Sequence, residues 1–435
     1  MPLPEIKHKR EVYLDHAAAT YLAPEVEAVT APFGQKIFGN PSSIHDAGRA
    51  AKEVVAESRS AVAKILNCFP EEIIFTASGT MSDNLAIFGI ARANKIKGNH
   101  LITTAIEHHA VLKPFEYLRD KEGFEITVLP VDGDGLIRLD DLEKAVRPET
   151  ILISVMYANN EIGTIQPIAE IGHLVRRLNK IRAPHELARI YFHTDACQAA
   201  GALSLDVKAM GVDLLTLNGS KIYGPKGMGI LYAARGVELQ PLILGGGQEK
   251  GLVSGTENVA GIVGLAAALG LVHKNREAEN QRLTALRDKL IAGILERIPK
   301  SRLNGHPTKR LPNNVNVTIL DVEGEAMLLY LNEYGIYAAT GSACDSATLD
   351  PSHVILALGL PHEFAHGSMR FTLGRRTTSE DIDYVLEILP PIVETLREAS
   401  PVKLEMDPAL NQHAKILQHA PALNVKSSVA TIPSG

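Results

Sequence analysis

The chain has 435 residues, 45% of them hydrophobic and 22% charged, the make-up of an ordinary soluble globular protein of about two or three domains. Its net charge of −6, its lack of Trp and the lack of any Lys/Arg run interleaved with aromatics argue against direct nucleic-acid binding. No apolar run approaches the roughly 20 residues of a membrane span, and MPLPEIKHKR is not followed by the apolar stretch of a signal peptide. The three cysteines, Cys68, Cys197 and Cys344, are odd in number and far apart, which leaves no disulfide framework and no CxxC metal pair. A reducing cytoplasm is the expected compartment.

From about residue 70 to 260, strand-like and helix-like segments alternate. EIIFT (72–76) reads as a strand and SDNLAIFGIARANK (82–95) as a helix. LITTA (101–105) is a strand, AVLKPFEYLRDKEG (110–123) a helix with an early proline, and EITVLPV (125–131) a strand. ILISVMYA (151–158), RIYFHTDA (189–196) and VDLLTLN (212–218) are three more strands. This rhythm predicts an α/β fold, a mostly parallel sheet covered by helices. The pattern changes near residue 275. The stretch 276–298 reads as a long charged helix with Leu283, Leu286, Leu290 and Ile294 on one stripe. Strands at 313–320, 336–340 and 369–374, with helices at 323–335 and 379–399, make a smaller α+β module. We therefore expect a large unit over 18–275, a small unit from 1–17 and 276–400, and a poorly ordered tail over 401–435.

Polar groups gather at the ends of the predicted strands. In FTASGTMSDN a strand stops, Ser-Gly-Thr turns, and a helix starts, which suits either a phosphate or a plain N-cap. Lys221, between a strand and a Gly/Pro-rich loop, could be a Schiff-base lysine or a surface one. Asp195 ends a buried strand, where a carboxylate needs a cationic partner, and Gln198 follows it. His108 and His109 could cover a cofactor ring, move protons or be turn histidines. Together these are the parts that pyridoxal phosphate needs, at the strand ends where α/β sheets bind ligands. Cys344 sits in TGSACDSATLDP, a small, polar loop sequence.

The motifs YLDHAAAT, FGNPSSIH, EEIIFTASGTMSDNLA, EHHAVL, NNEIGTIQPI, HTDACQAAG, GSKIYGPKG, SGTEN, GSACDSATLDPSHV and MRFTLGR run in one order from about Tyr13 to Pro401. In them the chain resembles the cysteine desulfurases of the NifS/IscS type, class V aminotransferases of the fold-type I pyridoxal-phosphate enzymes. The resemblance implies a large domain with a mixed, mostly parallel sheet and a smaller domain bearing the Cys344 loop. It implies pyridoxal 5′-phosphate held covalently by Lys221, with Asp195 on the pyridine nitrogen, His108 over the ring and Gln198 on the phenolic oxygen. Gly79 and Thr80 would take the phosphate, with Asn218 and Ser220 assisting and Thr256 reaching it from the second subunit of a homodimer. Arg370 would fork onto the carboxylate of L-cysteine, with Asn159 (at the cofactor as well) and Asn40. Cys344 would take the sulfur as a persulfide and pass it to an acceptor protein, an iron–sulfur scaffold or a tRNA-thiolation relay. Alanine is the other product.

The departures are local. Asn218-Gly219-Ser220-Lys221 stands where the family commonly has Ser-Gly-His-Lys, which bears on cofactor affinity. Val253, Met81 and His16 replace a basic, an acidic and a tyrosine residue. The competing readings are a selenocysteine lyase or another class V lyase or aminotransferase, and a relay protein that has lost the cofactor. An aminotransferase has no use for a loop thiol at Cys344.

Overall fold

The computed structural model describes Leu3, residues 10–340 and 351–401, Leu404 and Met406. Cys344 and nearly all of the expected tail lie outside the described residues. The first part of the chain runs β1 (Val12–Tyr13), α1 (Pro24–Thr30), α2 (Asp46–Leu66), β2 (Ile73–Thr76), α3 (Gly79–Asn94), β3 (His100–Thr104), α4 (His109–Glu122), β4 (Glu125–Leu129), α5 (Leu139–Ala145) and β5 (Thr150–Ser154). It continues α6 (Ile168–Arg182), β6 (Tyr191–Asp195), α7 (Val207–Met210), β7 (Leu214–Asn218), β8 (Gly229–Ala233) and α8 (Val259–Arg297). The last part is β9 (Ser301–Leu303), β10 (Asn314–Ile319), α9 (Gly324–Glu333), β11 (Ile336–Tyr337), β12 (Ala339–Thr340), α10 (His353–Ala357), α11 (His362–His366), β13 (Ser368–Thr372) and α12 (Ser379–Ala399).

Seven strands form the main sheet in the order β2-β8-β7-β6-β5-β3-β4. All pair in parallel except β8, which runs against both β2 and β7. The central strands are apolar on both faces because both are covered. Ile73 and Phe75 face one core with α2, α6 and the start of α8, while Ile74 faces the other with α3 and α4. Leu215 and Leu217 alternate with Leu214 in the same way.

A second, antiparallel sheet has the order β12-β13-β10-β9. It packs with the far half of α8, α9 and α12 around Leu290, Ile294, Val317, Phe371 and Leu389. The chain returns to its start here: β1 pairs in parallel with β11, and Asp15 bridges Thr372. A smaller cluster joins Ile106, Met156 and Ile162 to Val354, Ile355 and Phe364, with Leu404 and Met406 packed on it.

Two expected elements differ from their sequence pattern: 336–340 divides into β11 and β12, which join different sheets, and one helix begins earlier than expected. The helix expected from Arg276 starts at Val259, and the expected division at 275–276 falls inside it. The stretch 259–272 is apolar all round because it lies between the main sheet and α2, so it shows no amphipathic period. Among the described residues no helix is long and apolar enough to cross a membrane.

Glycines in these helices differ in what surrounds them. A Cβ on Gly172 of α6 would collide with the Met210 carbonyl oxygen, whereas one on Gly270 of α8 meets nothing within 4 Å. Gly172→Ala is expected to cost about 1–3 kcal/mol. Gly270→Ala is expected to add about 0.5–1 kcal/mol through helix propensity. Thermal unfolding of the two variants checks the pair.

Candidate active site

Strand ends and helix starts converge on a cleft of about 240 Å³. Where β2 stops, Ser78 caps α3: its hydroxyl accepts the Met81 N–H at 3.1 Å and its carbonyl accepts the Ser82 N–H. The N–H groups of Gly79 and Thr80, both in the cleft wall, have no helical acceptor and sit at the positive end of the helix dipole. Gly79 has no room for a side chain, since a Cβ would lie 2.8 Å from Cys197 Sγ and 3.2 Å from Asn218 Cβ.

β6 ends on Asp195, whose Oδ1 accepts the Cys197 N–H at 2.9 Å. β7 ends on Asn218, whose Oδ1 accepts the N–H and the hydroxyl of Ser220 at 3.1 and 3.0 Å. That leaves the Asn218 NH₂ group on the side of Gly79. Lys221 follows directly and donates to the Ala18 carbonyl at 2.5 Å. Gln198 donates to the Ala17 carbonyl at 2.9 Å. The 17–18 segment is thereby tied to the cleft. His108 caps α4, its Nδ1 accepting the Ala110 N–H at 3.0 Å, which fixes the ring. Burial lowers its pKa, opposed by Asp195 and assisted by Lys221.

Arg370 enters from β13 of the second sheet. It donates through Nη2 to Asp15 Oδ1 at 2.9 Å and through Nη1 to the Asn160 carbonyl at 3.3 Å. Its Nε is buried and has no protein acceptor. One carboxylate and one carbonyl thus fix the guanidinium at the cleft wall.

Gly79, Thr80, His108, Asp195, Gln198, Asn218, Lys221 and Arg370 therefore line one cleft, as their positions at strand ends suggested. Asn159 does not. It is fully buried, its Oδ1 taken by the N–H groups of Glu161 and Ile162 and its Nδ2 by the Ile106 carbonyl, so it builds the turn. Its neighbour Asn160 faces the cleft instead. Ser220 is bonded to Asn218 and is not itself in the cleft lining. Asn40 and Thr256 are exposed and stand outside the cleft of this chain.

Sequence reasoning missed Asp83, Asn160 and Cys197 in the cleft wall. Asp83 carried a signal: an acidic residue one turn after Gly79, on an otherwise apolar helical face. Cys197 lines the cleft beside Asp195. Burial pushes its thiol pKa well up, and Asp195 and Asp83 push it further. Burial likewise raises Cys68 to about 12.

Residues 12–385 match the aminotransferase class-V family. The chain belongs to that family. Its members are pyridoxal-phosphate enzymes. The chain is 53% identical over 395 residues to a protein named cysteine desulfurase IscS from Clostridium botulinum strain Hall, covering 90% of this chain and 97% of that one. It is 52% identical over 393 residues to one of the same name from Methanosarcina thermophila, covering 90% and 94%. Among solved structures, one described as a NifS-like protein aligns with a TM-score of 0.81 at 35% identity, over 89% of this chain and 99% of that one. The mixed seven-stranded sheet is thus the fold-type I sheet of this class-V group.

Beneath the cleft, His193 is fully buried between Ser154 (Nδ1 to Oγ, 2.9 Å) and Thr216 (Nε2 to Oγ1, 3.1 Å), and burial lowers its pKa to about 4. It is neutral in the fold and ordinary in the unfolded chain. The unfolded state thus gains the proton first, and stability present above about pH 6.5 is lost as pH falls towards about 4. Urea unfolding midpoints are expected to drop across that window, and His193→Gln is expected to remove part of the slope.

Proposed function

We propose that the chain is a cysteine desulfurase: it takes L-cysteine, releases L-alanine and carries the sulfur away as a persulfide on Cys344. The reading rests above all on one observation: Lys221, Asp195, His108 and the open start of α3 share a single cleft with Arg370. The names of the relatives point the same way.

The residues present fit pyridoxal 5′-phosphate. The start of α3, with the free N–H groups of Gly79 and Thr80 and the Asn218 amide beside it, suits a phosphate. Asp195 suits a protonated pyridine nitrogen, His108 the ring face and Gln198 the phenolic oxygen. Lys221 is the amine that would hold the group. When bound, the cofactor supplies an electron sink for the substrate's α-carbon.

The chain's own residues do the rest. Arg370 binds the substrate carboxylate, with Asn160 in the place first expected of Asn159. Lys221 takes the α-proton and returns protons to the product carbon. The Cys344 thiolate attacks the substrate sulfur: the S–S bond forms, the C–S bond breaks, and its electron pair stays with the carbon that becomes the alanine methyl group. Of the three cysteines, two are packed thiols whose pKa burial raises, which leaves Cys344 for this task.

In this reading 18–275 hold the cofactor, and 1–17 with 276–400 carry the Cys344 loop. The chain works in the cytoplasm as a homodimer in which Thr256, exposed here, completes the partner's phosphate site. An acceptor protein takes the persulfide sulfur for iron–sulfur cluster assembly or tRNA thiolation.

The deciding experiment compares purified wild type with Cys344→Ala. Visible absorption of the bound cofactor is expected in both, and sulfide and alanine release from L-cysteine only in the wild type. Activity retained in the variant would point to another lyase of the family. Lys221→Ala is expected to lose at least about 100-fold in turnover, the low end for an acid–base group. Gly79→Ala, whose Cβ would press on Cys197 and Asn218 and push the start of α3 out of place, is expected to weaken cofactor binding about tenfold or more, equivalent to about 1.4 kcal/mol. Equilibrium titration of the apoprotein measures that loss.

A further inference from the structure

Three carboxyl groups lie together under the cleft, on β6, on α3 and after β3. Asp195 faces the opening and has a backbone donor. Asp83 is 1% exposed and Glu107 fully buried. Each of these two has one carboxyl oxygen with no partner, Oδ1 of Asp83 and Oε2 of Glu107. Asp83 also has a side-chain hydrogen bond with Thr216, and Oε1 of Glu107 accepts the Thr104 hydroxyl and the Met156 N–H, both at 2.8 Å. Among the described residues neither has a Lys or Arg partner; the nearest base to Asp83 is His193, 3.6 Å away and neutral.

A buried carboxylate with an empty acceptor and no cation is costly, and taking a proton removes the cost. The charges around the pair do not reverse this. Asp83 faces Asp195 and His193 from β6, Thr216 from β7 and Glu107 from the loop after β3. Glu107 faces Asp195, and its carbonyl is bonded by His353. Lys221 and His108 stand across the cleft on the Asp195 side.

We propose that Asp83 and Glu107 are positioning residues that stay uncharged under the cleft, so that Asp195 alone presents a negative charge to the group bound above it. The proposal rests on the reading of the cleft as a pyridoxal-phosphate site. Burial raises both carboxyls, Asp83 well above the usual range and Glu107 to about 8, which agrees with the geometry. A second or third anion there would repel the cofactor's phosphate and weaken its grip at Gly79. With both neutral, the negative charge has one address, the carboxylate opposite the pyridine nitrogen.

The test has two arms. In the first, infrared spectra of the apoprotein at mildly acidic pH are compared for wild type, Asp83→Asn, Glu107→Gln and the double variant. The carbonyl band of a protonated, buried carboxylic acid is expected in wild type, weaker in each single variant and weakest in the double. A wild type without the band, or variants that leave it unchanged, overturns the proposal. In the second arm, the holoenzymes are titrated and the pH at which the bound cofactor's visible absorption changes is read. Asp195→Asn is expected to lower that midpoint by roughly one to three units, while Asp83→Asn moves it by less than about half a unit. A shift for Asp83→Asn as large as that for Asp195→Asn overturns the proposal, because it means that a charge was removed. A protein that binds no cofactor defeats the functional reading alone, since the infrared arm needs none.

Discussion

The close approach of the start of α3 to the ends of β6 and β7 governs everything else in the cleft. It is possible because residue 79 is a glycine, with Cys197 and Asn218 packed where a side chain would go. That contact brings two unpaired N–H groups, the β6 carboxylate and the lysine after β7 into one small volume. The sheet supplies the rigidity: β5, β6 and β7 are buried almost throughout and pair in parallel, so their ends are fixed relative to one another. Catalytic geometry of this kind depends on rigid elements more than on loops.

Most of this was legible in the sequence because the site lies at strand ends, and buried strands are apolar runs that stop abruptly. The segments 72–76, 101–105 and 212–218 end within one residue of β2, β3 and β7. The long α2 and α6 and the antiparallel β8 were not read. Strand direction leaves no mark in a short apolar run, and only the fold shows that β8 turns back between β2 and β7. In the site, Asn159 and Asn160 are adjacent and chemically identical, and only the backbone decides which faces the cleft. Glu107 looked like an ordinary acidic residue because burial is a tertiary property, whereas Asp83 stood out only by its place on an apolar helical face.

The second sheet also supplies part of the cleft wall. Arg370 comes from it, Asp15 steers Arg370 from a segment beside it, and Asn160 meets Arg370 from the main unit. The Arg370 end of the cleft thus depends on three distant parts of the chain, while the Gly79 end depends on α3, β6 and β7. α8 ties the two together: its first half is buried against the main sheet and its second half against the smaller one. A rigid 39-residue rod through both cores leaves the two ends of the cleft little freedom to drift apart.

The pairing of the 12–16 segment with the last strands has a consequence for how the molecule is made. His16 bonds the Thr372 carbonyl across 356 positions of sequence, and Arg370 is steered across a gap of 355. At translation speeds of about 5–20 residues per second, the segment waits roughly 20 to 70 s for its partners to be synthesised. The main sheet closes without it, since none of the seven strands pairs with β1. The Arg370 end of the cleft is therefore assembled last, when the 12–16 segment meets β13. A nascent chain can thus form the Gly79 end of the cleft well before its Arg370 end.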